Sequence, residues 1–170
     1  MKSQNHCITK TLTLITEIEE FDSVDQLPEK DKELLLEARE AASKAYAPYS
    51  NFKVGAAIRI GNGKIVQGSN QENSSYPVGC CAERTALFYA SSCFWGEKIC
   101  AIAIASQTTN SDGTRPLSPC GMCRQAILEY EILQQAPIRI LMLSGSTKVW
   151  IAPSAVSLLP FQFDHQYLEQ

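Results

Sequence analysis

Residues 80–106 read CCAERTALFYASSCFWGEKICAIAIAS, and their reading decides the fold. CCAERTALFYASS reads as a helix, and ICAIAIAS, a short continuous apolar run, as a buried strand. Outward toward the C-terminus the alternation repeats. QTTNSDGTRPLS is a loop rich in turn formers, PCGMCRQAILEYE a helix, PIRILMLSG a strand, TKVWIA a shorter strand and PSAVSLLP a short helical piece. Toward the N-terminus, FKVGAAIRI and KIVQGSN flank GNG, two strands joined by a glycine turn. Before them Leu34, Leu35, Ala38, Ala41, Ala42 and Ala45 recur at helical spacing behind an acid-rich start, so a helix is predicted over about 29–45, with APYS ending it. TLTLITEIEEF suits a short strand or a loose arm. Helices alternating with strands define an α/β layered fold whose central sheet is covered on both faces. No repeat or low-complexity linker divides it, which gives one domain over 28–170 and an N-terminal extension over 1–27 to which no function is assigned.

With 170 residues the chain is long enough for one full core and too short for two ordinary ones. Apolar residues make up 45% and charged residues 19%, as in a soluble globular protein. The net charge of −3, without a run of lysine and arginine, disfavours a nucleic-acid polymer as partner, because phosphate binding needs a basic stripe. The first residues lack the apolar region of a signal peptide, and no stretch is apolar for long enough to cross a bilayer, so no membrane partner is expected. Seven cysteines, an odd number, then read as thiols or metal ligands in a reducing, cytoplasmic compartment.

Cys120 and Cys123 lie three apart, so at a helix start both thiols share one face of the first turn. There the backbone N–H groups and the helix dipole favour thiolates. Such a pair alone also fits a redox site or structural zinc. The CAE cysteine opens a second predicted helix, and two facing helix starts can bring three thiolates onto one Zn²⁺ with a fourth position open, the layout of a catalytic site. His6, in the extension, and His165, near the C-terminus, are poor candidates for a fourth ligand. Glu83, two residues after the CAE cysteine, is placed to accept and return the proton of a metal-activated water without binding the metal. Three thiolates leave the metal with a net negative charge. Arg84 and Arg124, each just after a ligand, are expected to donate to the sulfurs and balance it. The plainer reading of either is a solvated surface arginine.

A glutamate at this spacing, with P-C-x-x-C downstream, is the signature of zinc nucleobase deaminases. The chain resembles the cytidine deaminase family, in its short homotetrameric three-cysteine form, through APYSNFKVGAA, GSNQENSSYP, CAERTAL, SPCGMCRQ and LLPFQF in family order over about 30–165. The resemblance implies a three-layer α-β-α fold with a central mixed sheet. It implies one Zn²⁺ per chain on Cys81, Cys120 and Cys123, with Glu83 as proton shuttle. It places the Ala82 N–H on the pyrimidine carbonyl, the Ser118 carbonyl on the amine, Asn70 and Glu72 on the ribose and Phe52 against the base. It also implies that Tyr76 and Phe163 reach a neighbouring subunit's site, with Phe161 as the competitor of Phe163. Without the resemblance, Asn70 and Glu72 read as a polar strand edge and Phe52 as core packing.

Gln71 and Ser74 depart from the family's apolar residues beside the sugar. Met122 is expected to fill space behind the ligand turn, Cys80 to pack beside the site as a bystander, and Cys100 to be a small apolar residue of a buried strand. Cys7 and Cys93 also lie outside the ligand motifs. The expected activity is hydrolytic deamination of free cytidine and deoxycytidine in pyrimidine salvage. The alternatives are a deaminase of a cytosine nucleoside such as blasticidin S, a nucleic-acid-editing deaminase, and a zinc-stabilised binding protein without turnover.

Overall fold

The structure, a computed structural model, describes residues 10–107, 115–145 and 147–168. His6, Cys7 and residues 108–114 of the expected loop lie outside the described residues. The strands are β1 (Glu19–Phe21), β2 (Val54–Ile60), β3 (Ile65–Ser69), β4 (Ile99–Ser106), β5 (Arg139–Ser144) and β6 (Lys148–Ala152). The helices are α1 (Glu29–Ser43), α2 (Ala82–Cys93) and α3 (Gly121–Gln134). The sheet order is β1-β6-β5-β4-β2-β3. Only β4 and β5 pair in parallel, joined through α3, and the other pairings are antiparallel. The sheet is therefore mixed, as the resemblance implied.

Alternation along β4 builds both cores. Ile102 and Ile104 face α2 and α3, together with Ile58, Leu87, Ile127, Leu128, Ile140 and Met142. Ala101, Ala103 and Ala105 face α1, where they meet Leu34, Leu35 and Ala38. The small-residue face lets α1 come close. A side chain at Gly55 would place its Cβ 2.0 Å from the Ala38 carbonyl oxygen, so β2 and α1 are in backbone contact there. Gly68 plays the same part on the opposite face, where an added Cβ would lie 2.4 Å from the Ala86 nitrogen. That contact seats the start of α2 directly on β3.

Differences from the expectations lie at the ends of elements. The first helix stops at Ser43, and PSAVSLLP forms a single 3-10 turn over Val156–Leu158. Of TLTLITEIEEF, only the last three residues form a strand, while Leu12, Leu14 and Ile15 stand exposed. Cys100, expected inside a buried strand, is exposed. Arg59 pairs with Ala101 and Ile60 with Ile99, so Cys100 is the extra residue of a bulge and leaves the alternation.

Candidate active site

Two helix starts supply the chemistry. Cys81 is the N-cap residue of α2 and Cys120 that of α3, both in extended backbone conformation, and Cys123 lies in the first turn of α3. The three sulfurs lie within 4.8 Å of one another, with Cys81 Sγ 3.8 Å from Cys120 Sγ and the Cys120–Cys123 pair at 3.4 Å. Sulfurs sharing a tetrahedral zinc with Zn–S bonds of ~2.3 Å sit about 3.8 Å apart, so the donor set fits Zn²⁺ with little movement. Cys123 is buried, Cys81 half-buried and Cys120 exposed, so the cluster opens to solvent on one side.

Hydrogen bonding from Cys123 brings the Cys81 thiol down to about 5 against the opposing effect of burial, with Cys120 and Arg84 adding to the drop. The Cys123 thiol is raised, first by that same bond and then by burial. Glu83, in the first turn of α2, is only 5% exposed. Burial pushes its carboxyl above the usual range, and the Cys81 charge adds to this, while its own backbone N–H, Cys123 and Arg84 pull the other way. Arg84 lines the same cleft as Cys80 and Cys81. Burial opposes its charge, but Cys80, Cys81 and Cys123 together raise its pKa. Its Nη2 donates to the Gly79 carbonyl at 3.3 Å, and its buried Nε has no hydrogen-bond partner among the described residues.

Arg124 is placed differently from the expectation that it donates to the sulfurs. Its bonds run from Nε to the Pro119 carbonyl (2.8 Å), from Nη1 to the Leu158 carbonyl (3.0 Å) and from Nη2 to Ser118 Oγ (2.8 Å). It grips the turn that carries Cys120, because the side chain leaves α3 backward over that helix's own start. Ser118 is fixed by the same grip.

A cleft of about 520 Å³ runs from Cys81 past Cys80, Arg84 and Met122 to Asn70, Glu72, Tyr49 and Tyr76. Backbone pairing between Gln71 and Cys80, N···O 2.8 and 2.9 Å, holds the Asn70–Glu72 segment beside the thiols. Asn70 Oδ1 accepts from the Val54 N–H at 2.8 Å, and Nδ2 donates to the Phe52 carbonyl at 3.0 Å. Glu72 Oε2 accepts from the N–H groups of Tyr49 (2.9 Å) and Ser50 (3.2 Å), and Oε1 accepts from the Ser50 hydroxyl. The Ser50 hydroxyl, followed by the Tyr49 amide, holds the Glu72 carboxyl below its usual range. These two residues therefore shape the 49–54 turn as well as lining the cleft. The sequence reading gave Ser50 no role beyond the helix stop and the APYSNFKVGAA motif, because a serine and a glutamate 22 residues apart give no local signal.

Phe52, expected against the base, is 41% exposed on that turn. Ala82 is the first residue of α2, where an N–H has no acceptor within the helix. Tyr76 is exposed, meets Tyr49 edge to face at 6.1 Å and lies on the rim of its own chain's cleft. Phe163 stands apart from that cleft, stacked on Tyr167 at 5.6 Å, and Phe161 is more exposed still. Met122, expected behind the ligand turn, is instead exposed at the cleft wall, because it follows the N-cap on the outer side of α3. Cys80 lines the cleft outside the three-sulfur cluster.

An open thiolate metal site with a buried carboxylate at its edge belongs to a zinc-dependent hydrolase. Residues 28–136 match the family described as the cytidine and deoxycytidylate deaminase zinc-binding region. The chain is similar to the cytidine deaminase of Halalkalibacterium halodurans, 46% identical over 101 residues that cover 58% of this chain and 71% of the relative. With the cytidine deaminase of Mycobacterium tuberculosis (strain ATCC 25618 / H37Rv) it shares 40% identity over 118 residues, 66% of this chain and 84% of that one. The crystal structure of cytidine deaminase from Burkholderia pseudomallei superposes with a TM-score of 0.67 at 41% identity, covering 77% of this chain and 97% of that one. The chain belongs to the cytidine and deoxycytidylate deaminase family.

Proposed function

We infer that the chain hydrolyses free cytidine and deoxycytidine to uridine and deoxyuridine with release of ammonia, using one Zn²⁺ per chain. The observation that carries this reading is the three-sulfur cluster with Glu83 buried at the same helix start. Cys81, Cys120 and Cys123 would hold the metal, which would acidify a water and act as a Lewis acid beside the base. Glu83 would carry both protons of the reaction, one to N3 as hydroxide adds at C4 and a second, taken from the new C4 hydroxyl, to the amine as the C4–N bond breaks. Its carboxyl pKa, raised by burial, suits a group that must both accept and give a proton.

The remaining residues bind and orient. The Ala82 N–H receives the pyrimidine carbonyl, the Ser118 carbonyl the amine, and Phe52 the face of the base. Asn70 and Glu72 take the ribose hydroxyls. The Glu72 carboxylate accepts three bonds from Tyr49 and Ser50, and its two oxygens offer about four acceptor sites, leaving room for one more donor. Arg84 offsets the charge of the thiolates. The assembly is a homotetramer in which Phe163, and Tyr76 from the rim, complete a neighbour's site. The exposure of Phe163 and its separation from its own cleft support this.

Three free thiols are useful as ligands only while reduced, in keeping with a cytoplasmic enzyme of pyrimidine salvage. Among the described residues no helix is long and apolar enough to cross a membrane. An ultraviolet assay with cytidine, deoxycytidine, cytosine, CMP and blasticidin S, beside zinc analysis, tests the reading. Turnover of the two nucleosides by protein carrying about one zinc per chain is expected. Zinc-loaded protein that leaves both unchanged overturns it.

A further inference from the structure

The N-terminal arm reaches the metal site through two hydrogen-bonded steps that lie largely outside the 28–136 family match. Thr16 Oγ1 donates to the Ser157 carbonyl at 3.0 Å. Ser157 belongs to the 3-10 turn Val156–Leu158, and the next carbonyl, that of Leu158, accepts from Arg124 Nη1 at 3.0 Å. From the same guanidinium, Nε and Nη2 hold Pro119 and Ser118, the two residues before Cys120. The turn is fixed from inside as well. Glu131 Oε1, buried in α3, accepts the Ala155 N–H at 2.8 Å together with that of Ile138 at 2.6 Å. Ile18 packs against the core beneath, and β1 pairs with β6, so the arm is anchored just after Thr16.

We propose that Arg124 is a positioning residue for the ligand loop, and that the arm, through Thr16 and the Val156–Leu158 turn, sets the geometry of its grip on Ser118–Pro119–Cys120. A planar guanidinium holding three acceptors in fixed directions fixes the turn they belong to. If the Leu158 carbonyl shifts, the fork swings, and with it the residues that place the Cys120 sulfur and the Ser118 carbonyl. Asn70, Glu72 and the 49–54 turn lie outside this chain of contacts. Its effects therefore fall on metal retention and the chemical step, while the sugar end of the cleft keeps its geometry. The proposal rests on the reading of the three thiols as a zinc site.

The test uses full-length, zinc-loaded protein as wild type, Thr16→Val, Arg124→Lys and the double variant. Transfer of zinc to a chromogenic chelator is timed, and kcat and KM for cytidine are measured separately. Thr16→Val removes one hydrogen bond at nearly constant shape, so zinc release is expected to quicken about two- to ten-fold. A matching fall in kcat and little change in KM should accompany it. Arg124→Lys loses the fork and should release zinc faster still. The double variant should be no worse than Arg124→Lys alone, because the arm acts through that residue. Overturning results are unchanged zinc release in Thr16→Val, with or without a lower melting temperature, or Thr16→Val and Arg124→Lys effects that multiply fully in the double variant. A wild-type chain that binds no zinc would instead remove the functional reading beneath it.

Discussion

The side-chain amide of Asn70 donates to the carbonyl of Phe52 at 3.0 Å while accepting from the N–H of Val54. One residue thus lines the cleft and holds the turn that presents Phe52. Asn70→Ala removes both bonds and leaves the partly buried Val54 N–H unpaired, a loss of about 1–3 kcal/mol. The variant is expected to melt earlier and to show a raised KM for cytidine with a smaller change in kcat. Denaturant unfolding and steady-state kinetics check it, and a variant altered in kcat alone would refute it.

Glu83→Gln should keep zinc near one per chain and lose deamination, because the proposed mechanism makes its carboxylate the proton carrier while the cysteines alone form the ligand cluster. Zinc analysis beside the ultraviolet assay decides this, and cytidine turnover at the wild-type rate would sink the mechanism.

The same substitution carries a pH signature in metal-free protein. The Glu83 pKa is raised from its ordinary 4.5 by burial, so below that value both folded and unfolded chains carry it neutral. As pH rises past 4.5, the unfolded chain ionises first, and wild type loses stability until the raised folded value is passed. Glutamine has no such loss. Denaturant titrations at about pH 4 and about pH 7 should therefore show Glu83→Gln gaining on wild type only at the higher pH.

Cys81→Ala should lose zinc, whereas Cys80→Ala should retain most of it, because only Cys81 joins the cluster with Cys120 and Cys123. Metal content after dialysis separates the two, and equal loss from both would place Cys80 among the ligands.

Gly68→Ala would press a Cβ to 2.4 Å from the Ala86 nitrogen and 2.7 Å from the Ala82 carbonyl oxygen. Overpacking of this kind costs about 1–3 kcal/mol or more, and here it displaces the helix that carries Cys81 and Glu83. Lower thermal stability together with weaker zinc retention is expected. Gly121→Ala, whose Cβ meets nothing within 4 Å, is the control and should stay within about 0.5 kcal/mol of wild type.

Much of the site was legible because its chemistry is local. Cys120 and Cys123 share a helical turn, Cys81 and Glu83 share another, and a spacing of two or three residues specifies which side chains meet once a helix forms there. Arg84 followed from charge balance next to a ligand. Arg124 did not. The same reasoning pointed it at the sulfurs, but its partners include Leu158, 34 residues away, and no spacing rule reaches that far. The Glu72–Ser50 contact and the Gln71–Cys80 pairing are hidden for the same reason.

Apolar periodicity by itself determined the α/β layering, and helix-start spacing together with the family resemblance pointed to the thiols and the carboxylate, because each depends on residues within about one turn or one strand. The tertiary structure alone decided where the bulge at Cys100 breaks the alternation, how Gly68 seats α2 on β3, and that Asn70 and Glu72 first hold the 49–54 turn. Those outcomes depend on which backbone groups remain unpaired after the sheet closes, and that is set by contacts between elements rather than by the order of residues within one.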